Sequence, residues 1–185
     1  ALLGAGDDLF QWNPGDGSDV VEGQDGSDTL QFVGANVAER VDILANGGRV
    51  LLQRDVGAVT MDLDDTERIE FIALGGSDAV TVGDLSGTDT TRVIVDLSGP
   101  GGLGDGATDA LTVNGTNGSD SIVVSGTATA VTVGGLHATV NAVFFDGDDR
   151  LTVNGQGGDD VINASAVAAD SIRLTLNGGL GSDLL

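Results

Sequence analysis

The sequence contains no cysteine, no lysine and no tyrosine, and it has only two prolines among 185 residues. Without cysteine the chain can form neither disulfide bonds nor thiolate metal sites. Without lysine it cannot contain a P-loop, whose signature requires a Gly-Lys pair. It has no run of about 18 apolar residues, the length that a membrane-spanning helix needs. Aromatic residues make up only 3% of the chain, so few side chains are suited to stacking on sugars.

Basic charge is also scarce. The 29 acidic residues face only seven arginines, which gives a formal net charge of −22. Such a charge repels phosphates and anionic lipids, so we expect neither nucleic acid nor a membrane surface as a partner. The acidic residues recur at fixed positions of short turns, whereas a merely solubilising surface would scatter them.

Glycine is abundant, with 31 residues, and it marks a repeat. Three nine-residue units open the chain: LGAGDDLFQ at 3–11, PGDGSDVVE at 14–22 and GQDGSDTLQ at 23–31. In each unit a glycine lies two residues before an aspartate, and an apolar residue lies two residues after it. A Gly-Asp turn followed by a short strand, repeated, is typical of a solenoid. The chain begins without Met and ends inside another copy of the motif, so we interpret it as a piece of a longer repetitive protein.

Short segments of alternating apolar and polar residues recur about every ten residues, and helical periodicity is nearly absent. Leu111–Gly115 and Leu151–Gly155 both read LTVNG, at an offset of 40 residues. Four strand units of about ten residues fit into that offset. They make two coils of about 20 residues, and each coil contributes one strand to each of two facing sheets. The sequence therefore predicts one all-β domain over 1–185. Its parts are a nonapeptide array at 1–35, divergent coils at 36–75 and mixed coils at 76–185.

The aspartates at these turns predict a calcium site. Calcium binds carboxylate and carbonyl oxygens, and glycine turns allow the backbone to curl around an ion. Because one turn supplies too few ligands, a second aspartate must lie about one coil away on the same edge. The spacing favours Asp8 with Asp28, Asp149 with Asp170, and Asp160 with Asp183, which are 20, 21 and 23 residues apart. We expect ions toward both ends of the chain and few in the middle.

Other turn aspartates lack such a partner. Asp19 would find one only upstream of the sequence, while Asp78 and Asp120 have no aspartate one 20-residue coil away. The candidate metal ligands are Gly4, Gly6, Asp8, Gly15, Gly17, Asp19, Gly26, Asp28, Asp78, Asp120, Gly147, Asp149, Gly158, Asp160, Asp170, Gly179, Gly181 and Asp183. An isolated copy such as Asp78 is explained equally well as a residue that caps its own turn.

The best copy, Gly178–Leu185, reads GGLGSDLL. It resembles the repeats-in-toxin (hemolysin-type) calcium-binding proteins, whose unit is G-G-x-G-x-D-x-U-x with U a large apolar residue. The resemblance covers 3–31 and 147–185 and is weak over 36–75. It implies a right-handed parallel β-roll with Ca²⁺ between stacked turns. It also implies a secreted or cell-surface protein, exported by type I secretion, that folds on extracellular calcium and has no catalytic site in this segment.

Two alternatives remain open. A polysaccharide-acting β-helix enzyme would need carboxylates in a groove with nearby aromatic residues. A surface-adhesion or ice-binding solenoid would need a flat, regular face of threonines. In either case we expect the neighbouring coils of a longer parent chain as partners, besides calcium.

Overall fold

The computed structural model describes all residues 1–185 and consists almost entirely of β-strands. Sheet 1 contains nine strands: β1 (Leu2–Ala5), β3 (Asp19–Asp25), β5 (Arg40–Asn46), β6 (Arg49–Arg54), β7 (Val59–Asp64), β9 (Ala79–Val82), β11 (Ala110–Asn114), β15 (Arg150–Asn154) and β17 (Arg173–Asn177). Sheet 2 contains eight: β2 (Leu9–Trp12), β4 (Thr29–Val33), β8 (Arg68–Ile72), β10 (Arg92–Asp96), β12 (Ser121–Gly126), β13 (Ala130–Gly134), β14 (Thr139–Val143) and β16 (Val161–Val167). The predicted all-β class is confirmed. None of the helical structure is long and apolar enough to cross a membrane.

Alternation within the strands places one set of side chains in the core. In β8, for example, Ile69 and Phe71 are fully buried while Glu70 points outward. This is the two-residue period expected of a strand with one buried face. At one end of the core the single tryptophan, Trp12, stacks on Phe32 with ring centroids 4.0 Å apart. Trp12 is only 1% exposed, so its fluorescence reports on the packing of this core.

The chain passes back and forth between the sheets, and most neighbouring strands are parallel. Two segments break this pattern, because β5, β6 and β7 all lie in sheet 1 and β12, β13 and β14 all lie in sheet 2. Within each segment the consecutive strands pair antiparallel. The sheets are therefore mixed, whereas the resemblance implied purely parallel ones.

The antiparallel segments also change the register. Where none intervenes, paired residues are 20 to 24 residues apart, as in Leu9 with Thr29 or Arg68 with Arg92, or 31 apart across the long loop 97–109, as in Ala79 with Ala110. Where one intervenes, the offset is about 40, as in Leu111 with Leu151. The interpretation of the LTVNG repeat as two coils of 20 residues is thus wrong: the two copies lie side by side as β11 and β15. The expected 20-residue spacing holds only near the two ends and between β8 and β10.

The turns between the sheets lie along two edges. The first edge holds the turns that lead from sheet 1 to sheet 2, at 6–8, 26–28, 65–67, 84–91, 115–120, 155–160 and 178–183. The second edge holds those that lead from sheet 2 to sheet 1, at 13–18, 34–39, 73–78, 97–109, 144–149 and 168–172. These edges position the acidic residues.

Candidate metal sites

The acidic residues that end the turns form three rows. The N-terminal row consists of Asp8, Asp28 and Glu67 and the C-terminal row of Asp120, Asp160 and Asp183, both on the first edge. The central row, on the second edge, consists of Glu39, Asp78, Asp109 and Asp149. In every row the backbone N–H of one residue donates to a carboxylate oxygen of the next, over 2.6–3.0 Å.

The rows arise from where the strands begin. Each row residue directly precedes a strand or a bridged residue. For every member except Asp183, its carbonyl accepts from a residue at the start of the neighbouring strand or bridge, as Asp8 O does from Thr29 N at 2.9 Å. Its own N–H faces the turn, where no strand carbonyl continues the ladder. A buried N–H without an acceptor is costly, and the carboxylate of the adjacent turn supplies the acceptor.

A buried glycine lies five residues before half of the row members, where the turn starts. This glycine accompanies Asp28, Glu39, Asp120, Asp160 and Asp183 as Gly23, Gly34, Gly115, Gly155 and Gly178. A Cβ on Gly155 would lie 2.1 Å from Asp160 Oδ2 and 2.5 Å from the carbonyl oxygen of Gly178. Glycine is therefore required for the carboxylate and the next turn to approach. Sequence reasoning missed these glycines, although the spacing N-G-x-x-x-x-D, present at 114–120, 154–160 and 177–183, would have revealed three of them.

The rows place negative charge inside the protein with little compensation. Asp28, Asp78, Asp109, Asp149 and Asp160 are at most 2% exposed. The other buried row member is Glu39, which forms a buried ion pair with Arg54, the one buried basic residue. The remaining five buried carboxylates have no such partner. Burying a charge without compensation is costly, so these groups need either a proton or a cation.

Three carboxylates carry an unsatisfied oxygen. Oδ2 is buried and accepts no hydrogen bond in Asp28, Asp78 and Asp160. In Glu39, Asp120 and Asp149 the corresponding oxygen accepts a backbone N–H of its own turn, from Ala35, Thr116 and Asp146 respectively. Buried polar atoms are nearly always hydrogen-bonded, so the three unsatisfied oxygens mark places where a ligand is expected.

The same three turns share a backbone feature. Four residues before Asp28, Asp78 and Asp160 stand Gln24, Leu74 and Gln156, with φ of 75°, 68° and 77°. Left-handed backbone is uncommon outside glycine and points to a constrained turn. No N–H from these positions reaches the carboxylate, unlike the N–H of Thr116 or Ala35. The sites with free oxygens therefore have a common and distinct turn shape.

Burial also shifts the acidity of the central row. Desolvation raises the pKa of Asp78 to about 7, although a hydrogen bond from the Glu39 backbone lowers it and Asp109 raises it further. Desolvation raises the pKa of Asp109 to about 6, with Asp149 adding to the effect. The pKa of Asp149 is raised for the same first reason. The pKa values of these three aspartates are therefore raised above the ordinary aspartate range mainly by burial.

The structure brings together some predicted pairs and separates others. Asp8 lies next to Asp28, and Asp160 lies next to Asp183, as the spacing predicts. The pairing of Asp149 with Asp170 is wrong, because the neighbour of Asp149 in the row is Asp109 and Asp170 is exposed.

The statement that Asp78 and Asp120 lack partners is also wrong. Asp78 lies between Glu39 and Asp109, and Asp120 lies next to Asp160. Their partners are 31 to 40 residues away, because a long loop or an antiparallel segment intervenes. Asp19 begins β3 opposite Met61 and belongs to none of the three rows.

The candidate glycines share a backbone conformation, and several lie in stacked turns. All except Gly147 have positive φ: Gly4, Gly6, Gly15, Gly17, Gly26, Gly158, Gly179 and Gly181. On the first edge the backbones touch, since a Cβ on Gly26 would lie 2.1 Å from Gly6 O and one on Gly181 would lie 1.9 Å from Gly158 O. The predicted stacking of Gly-Asp turns is therefore present at both ends of this edge.

Another acidic group lies beside the N-terminal row. The carboxylate oxygens of Asp64, Asp65 and Asp89 lie within 4.8 Å of one another and could hold a metal ion. Arg49 partly compensates this charge, with Nη1 2.9 Å from Asp64 Oδ2.

Comparison with known proteins adds no assignment. Neither a scan against models of known protein families nor a search of curated proteins gives a match for this chain. The donor set itself fits a hard cation, because it consists of carboxylate and carbonyl oxygens with no sulfur ligand.

Proposed function

We propose that this chain is a calcium-binding structural segment of a secreted or cell-surface protein, which folds on extracellular calcium. The observation that carries the proposal is the unsatisfied, buried Oδ2 of Asp28, Asp78 and Asp160 within rows of stacked carboxylates. Ca²⁺ would be held by these carboxylates and by turn carbonyls, and it would supply positive charge that the chain lacks.

Glu39 provides an internal comparison. Its side chain occupies the same place in a row as the aspartates, but Arg54 neutralises it from inside the protein. Arg54 also lies over the Trp12 ring, 5.5 Å from its centroid. Arg54 thus supplies a permanent positive charge at Glu39, whereas no basic side chain pairs with Asp28, Asp78 or Asp160. An exchangeable cation completes these positions.

The same charge links binding to folding. With a net charge of −22 and 31 glycines, the metal-free chain has strong self-repulsion and high unfolded entropy. Calcium relieves the repulsion only when the rows are assembled, so its binding free energy becomes folding free energy. Extracellular calcium, at about millimolar concentration, is sufficient for sites of modest affinity.

The architecture we propose is a two-sheet β-solenoid of the β-roll type. The 20-residue offsets at β1/β3 and β2/β4, together with the stacked Gly-Asp turns, support it. The terminal strands of the two sheets, β1 and β17 in sheet 1 and β2 and β16 in sheet 2, then have an open edge, so further coils of a longer chain are the expected neighbours.

A calcium titration tests the proposal. Far-ultraviolet circular dichroism and Trp12 fluorescence are followed as calcium is raised from chelator to several millimolar, with magnesium as the comparison. We expect folded signal to appear with calcium and to be reduced in D28N/D160N, but not in D42N, which removes a charge from an outward-facing side chain paired with Arg40. A wild-type chain that is equally folded in chelator and in calcium would refute calcium-driven folding.

A second candidate function is adhesion to a surface. Thr81, Thr112, Thr152 and Thr175 stand opposite one another on successive strands of sheet 1 and face outward. Asn114, Asn154 and Asn177 form a parallel column connected by side-chain hydrogen bonds. These regular columns favour this alternative over an enzyme. A polysaccharide-acting enzyme would need aromatic residues in a groove, and the open cleft of about 380 Å³ beside sheet 1 is lined by none. Its lining residues are Arg40, Asp42, Gln53, Arg54, Asp55, Ala58, Val59 and Thr60.

A further inference from the structure

The middle of the second edge carries carboxylates beyond those of the central row. Turn 97–109 adds Asp105 and turn 144–149 adds Asp146. Asp105 Oδ2 accepts from Gly76 N, and Asp146 Oδ2 accepts from Gly106 N, each at 2.8 Å. Each side chain therefore reaches back to the turn before its own, in the same direction as the members of the central row.

Two carboxylates thus accept hydrogen bonds from the preceding turn at each pair of neighbouring turns. Asp105 and Asp109 lie between turns 73–78 and 97–109, and Asp146 and Asp149 lie between turns 97–109 and 144–149. Asp109 is 2% exposed and accepts a single hydrogen bond, from Asp78 N. The Asp146 carboxylate lies against Gly104, where a Cβ would be 2.0 Å from Oδ1.

A second and independent observation points to a ligand here. Asp78, the row neighbour of Asp109, is 2% exposed and its Oδ2 accepts no hydrogen bond. Asp105 Oδ2 accepts from the backbone N–H of Gly76, two residues before Asp78 in the same turn. The only buried guanidinium, Arg54, pairs with Glu39 at the far end of the row. Compensating positive charge is therefore missing where the carboxylates are densest.

We propose that turns 73–78, 97–109 and 144–149 form a central site for divalent cations of the calcium type. One cation is held by Asp105 and Asp109, next to the unsatisfied Asp78, and a second by Asp146 and Asp149. This site deepens the proposed function and rests on it, but three of its aspartates lie outside the nonapeptide pattern. Leu103, Ala107 and Phe144 stand where the motif would place glycine before Asp105, Asp109 and Asp146. All donors are oxygens, which suits calcium better than zinc. The middle of the chain therefore binds calcium, contrary to the expectation from spacing.

The test compares D109N/D146N with wild type and with D42N. Asparagine keeps the size of the side chain and an oxygen that can accept from Asp78 N, but it removes the charge. Bound calcium per chain is measured by equilibrium dialysis with radioactive calcium, and the unfolding temperature is measured in chelator and in calcium. We expect the double variant to bind at least one ion fewer than wild type, whereas D42N binds the same number.

The unfolding temperatures give a readout that loss of a structural contact would not produce. In chelator we expect D109N/D146N to be at least as stable as wild type, because two repelling charges are gone. In calcium we expect it to gain less than wild type. Equal numbers of bound ions, or an equal loss of stability in chelator and in calcium, would overturn the proposal.

The outcomes also separate the two proposals. If wild type binds no calcium, both fail; if it binds calcium and D109N/D146N binds as much, only the central site fails. Should the double variant not fold, D105N replaces it, since Asp105 is exposed and its loss spares the central row. D105N is then expected to bind fewer ions or to bind them more weakly, and unchanged calcium binding would refute the central site.

Discussion

Gly155 tests the close approach between a row carboxylate and the next turn. In Gly155→Ala the new methyl group would lie 2.1 Å from Asp160 Oδ2 and 2.5 Å from Gly178 O. The first contact can be relieved only by moving a carboxylate that accepts from Asp120 N at 2.8 Å. The second involves backbone, which cannot rotate away. Gly157, two residues on, is a matched control, because a Cβ there has nothing closer than Asn117 Oδ1 at 3.8 Å.

The expected magnitudes follow from these contacts. Overpacking of a tight site costs about 1–3 kcal/mol. Displacing the Asp160 carboxylate leaves the partly buried Asp120 N–H unpaired, which costs about 1–3 kcal/mol more. We therefore expect Gly155→Ala to lower the free energy of unfolding by about 2–6 kcal/mol. Gly157→Ala is expected to be neutral or to stabilise by up to about 1 kcal/mol, because alanine restricts the unfolded chain.

Urea unfolding in saturating calcium, followed by far-ultraviolet circular dichroism, measures both values. A repetitive fold can unfold in parts, so the analysis requires a single transition with the same slope in all three proteins. Calcium titration of Gly155→Ala should also show weaker binding, since Asp160 no longer holds its place. If the two alanine variants are equally stable, the Gly-x₄-Asp spacing has no role in packing the turns and the reasoning fails.

Three further predictions follow from the core and the central row. Arg54→Met should cost about 3–5 kcal/mol by leaving Glu39 buried without its partner, and adding Glu39→Gln should recover much of that loss in thermal unfolding. Phe32→Ala should cost about 3–5 kcal/mol and shift Trp12 emission to the red, because it removes the ring stacked on that indole; unchanged emission would contradict the packing. In chelator, stability should fall as pH rises from about 4 to 7, because folded Asp78 keeps its proton up to about pH 7 while the unfolded chain releases it near 3.8. Excess calcium should weaken or reverse that trend, because calcium binds the ionised carboxylate; pH scans with and without calcium that run parallel would contradict it.

The sequence predicts the strands well and their neighbours only in part. Leu111–Val113 is predicted as a strand and lies inside β11, because two-residue alternation follows directly from one buried face. Antiparallel β6 contains Val50–Leu52, which has the same apolar composition as a parallel strand. Alternation carries no information on strand direction. The offset between paired strands therefore cannot be read from the pattern when such a segment intervenes.

The candidate metal sites, like the strand neighbours, can be predicted from the sequence only in part. Asp8 with Asp28, and Asp160 with Asp183, are predictable because nothing interrupts a step of about 20 residues there. Asp109 was missed because it lacks the Gly-x-Asp pattern and lies at the end of the longest loop. Its role depends on Asp78 and Asp149, 31 and 40 residues away in the sequence, and only the strand pairing of the complete sheets brings these three together.

The two antiparallel segments compensate for each other. The segment β5–β7 adds two strands to sheet 1 beyond the alternating path, and β12–β14 adds two to sheet 2. With only one of them, one sheet would extend beyond the other by about 9–10 Å, two strand spacings, and would expose its apolar face. The second segment restores the facing of the sheets, and it also brings the turns back into register. As a result, a carboxylate row is present again on the first edge from Asp120, directly before β12. In the middle of the sheets, the carboxylate row lies on the second edge instead.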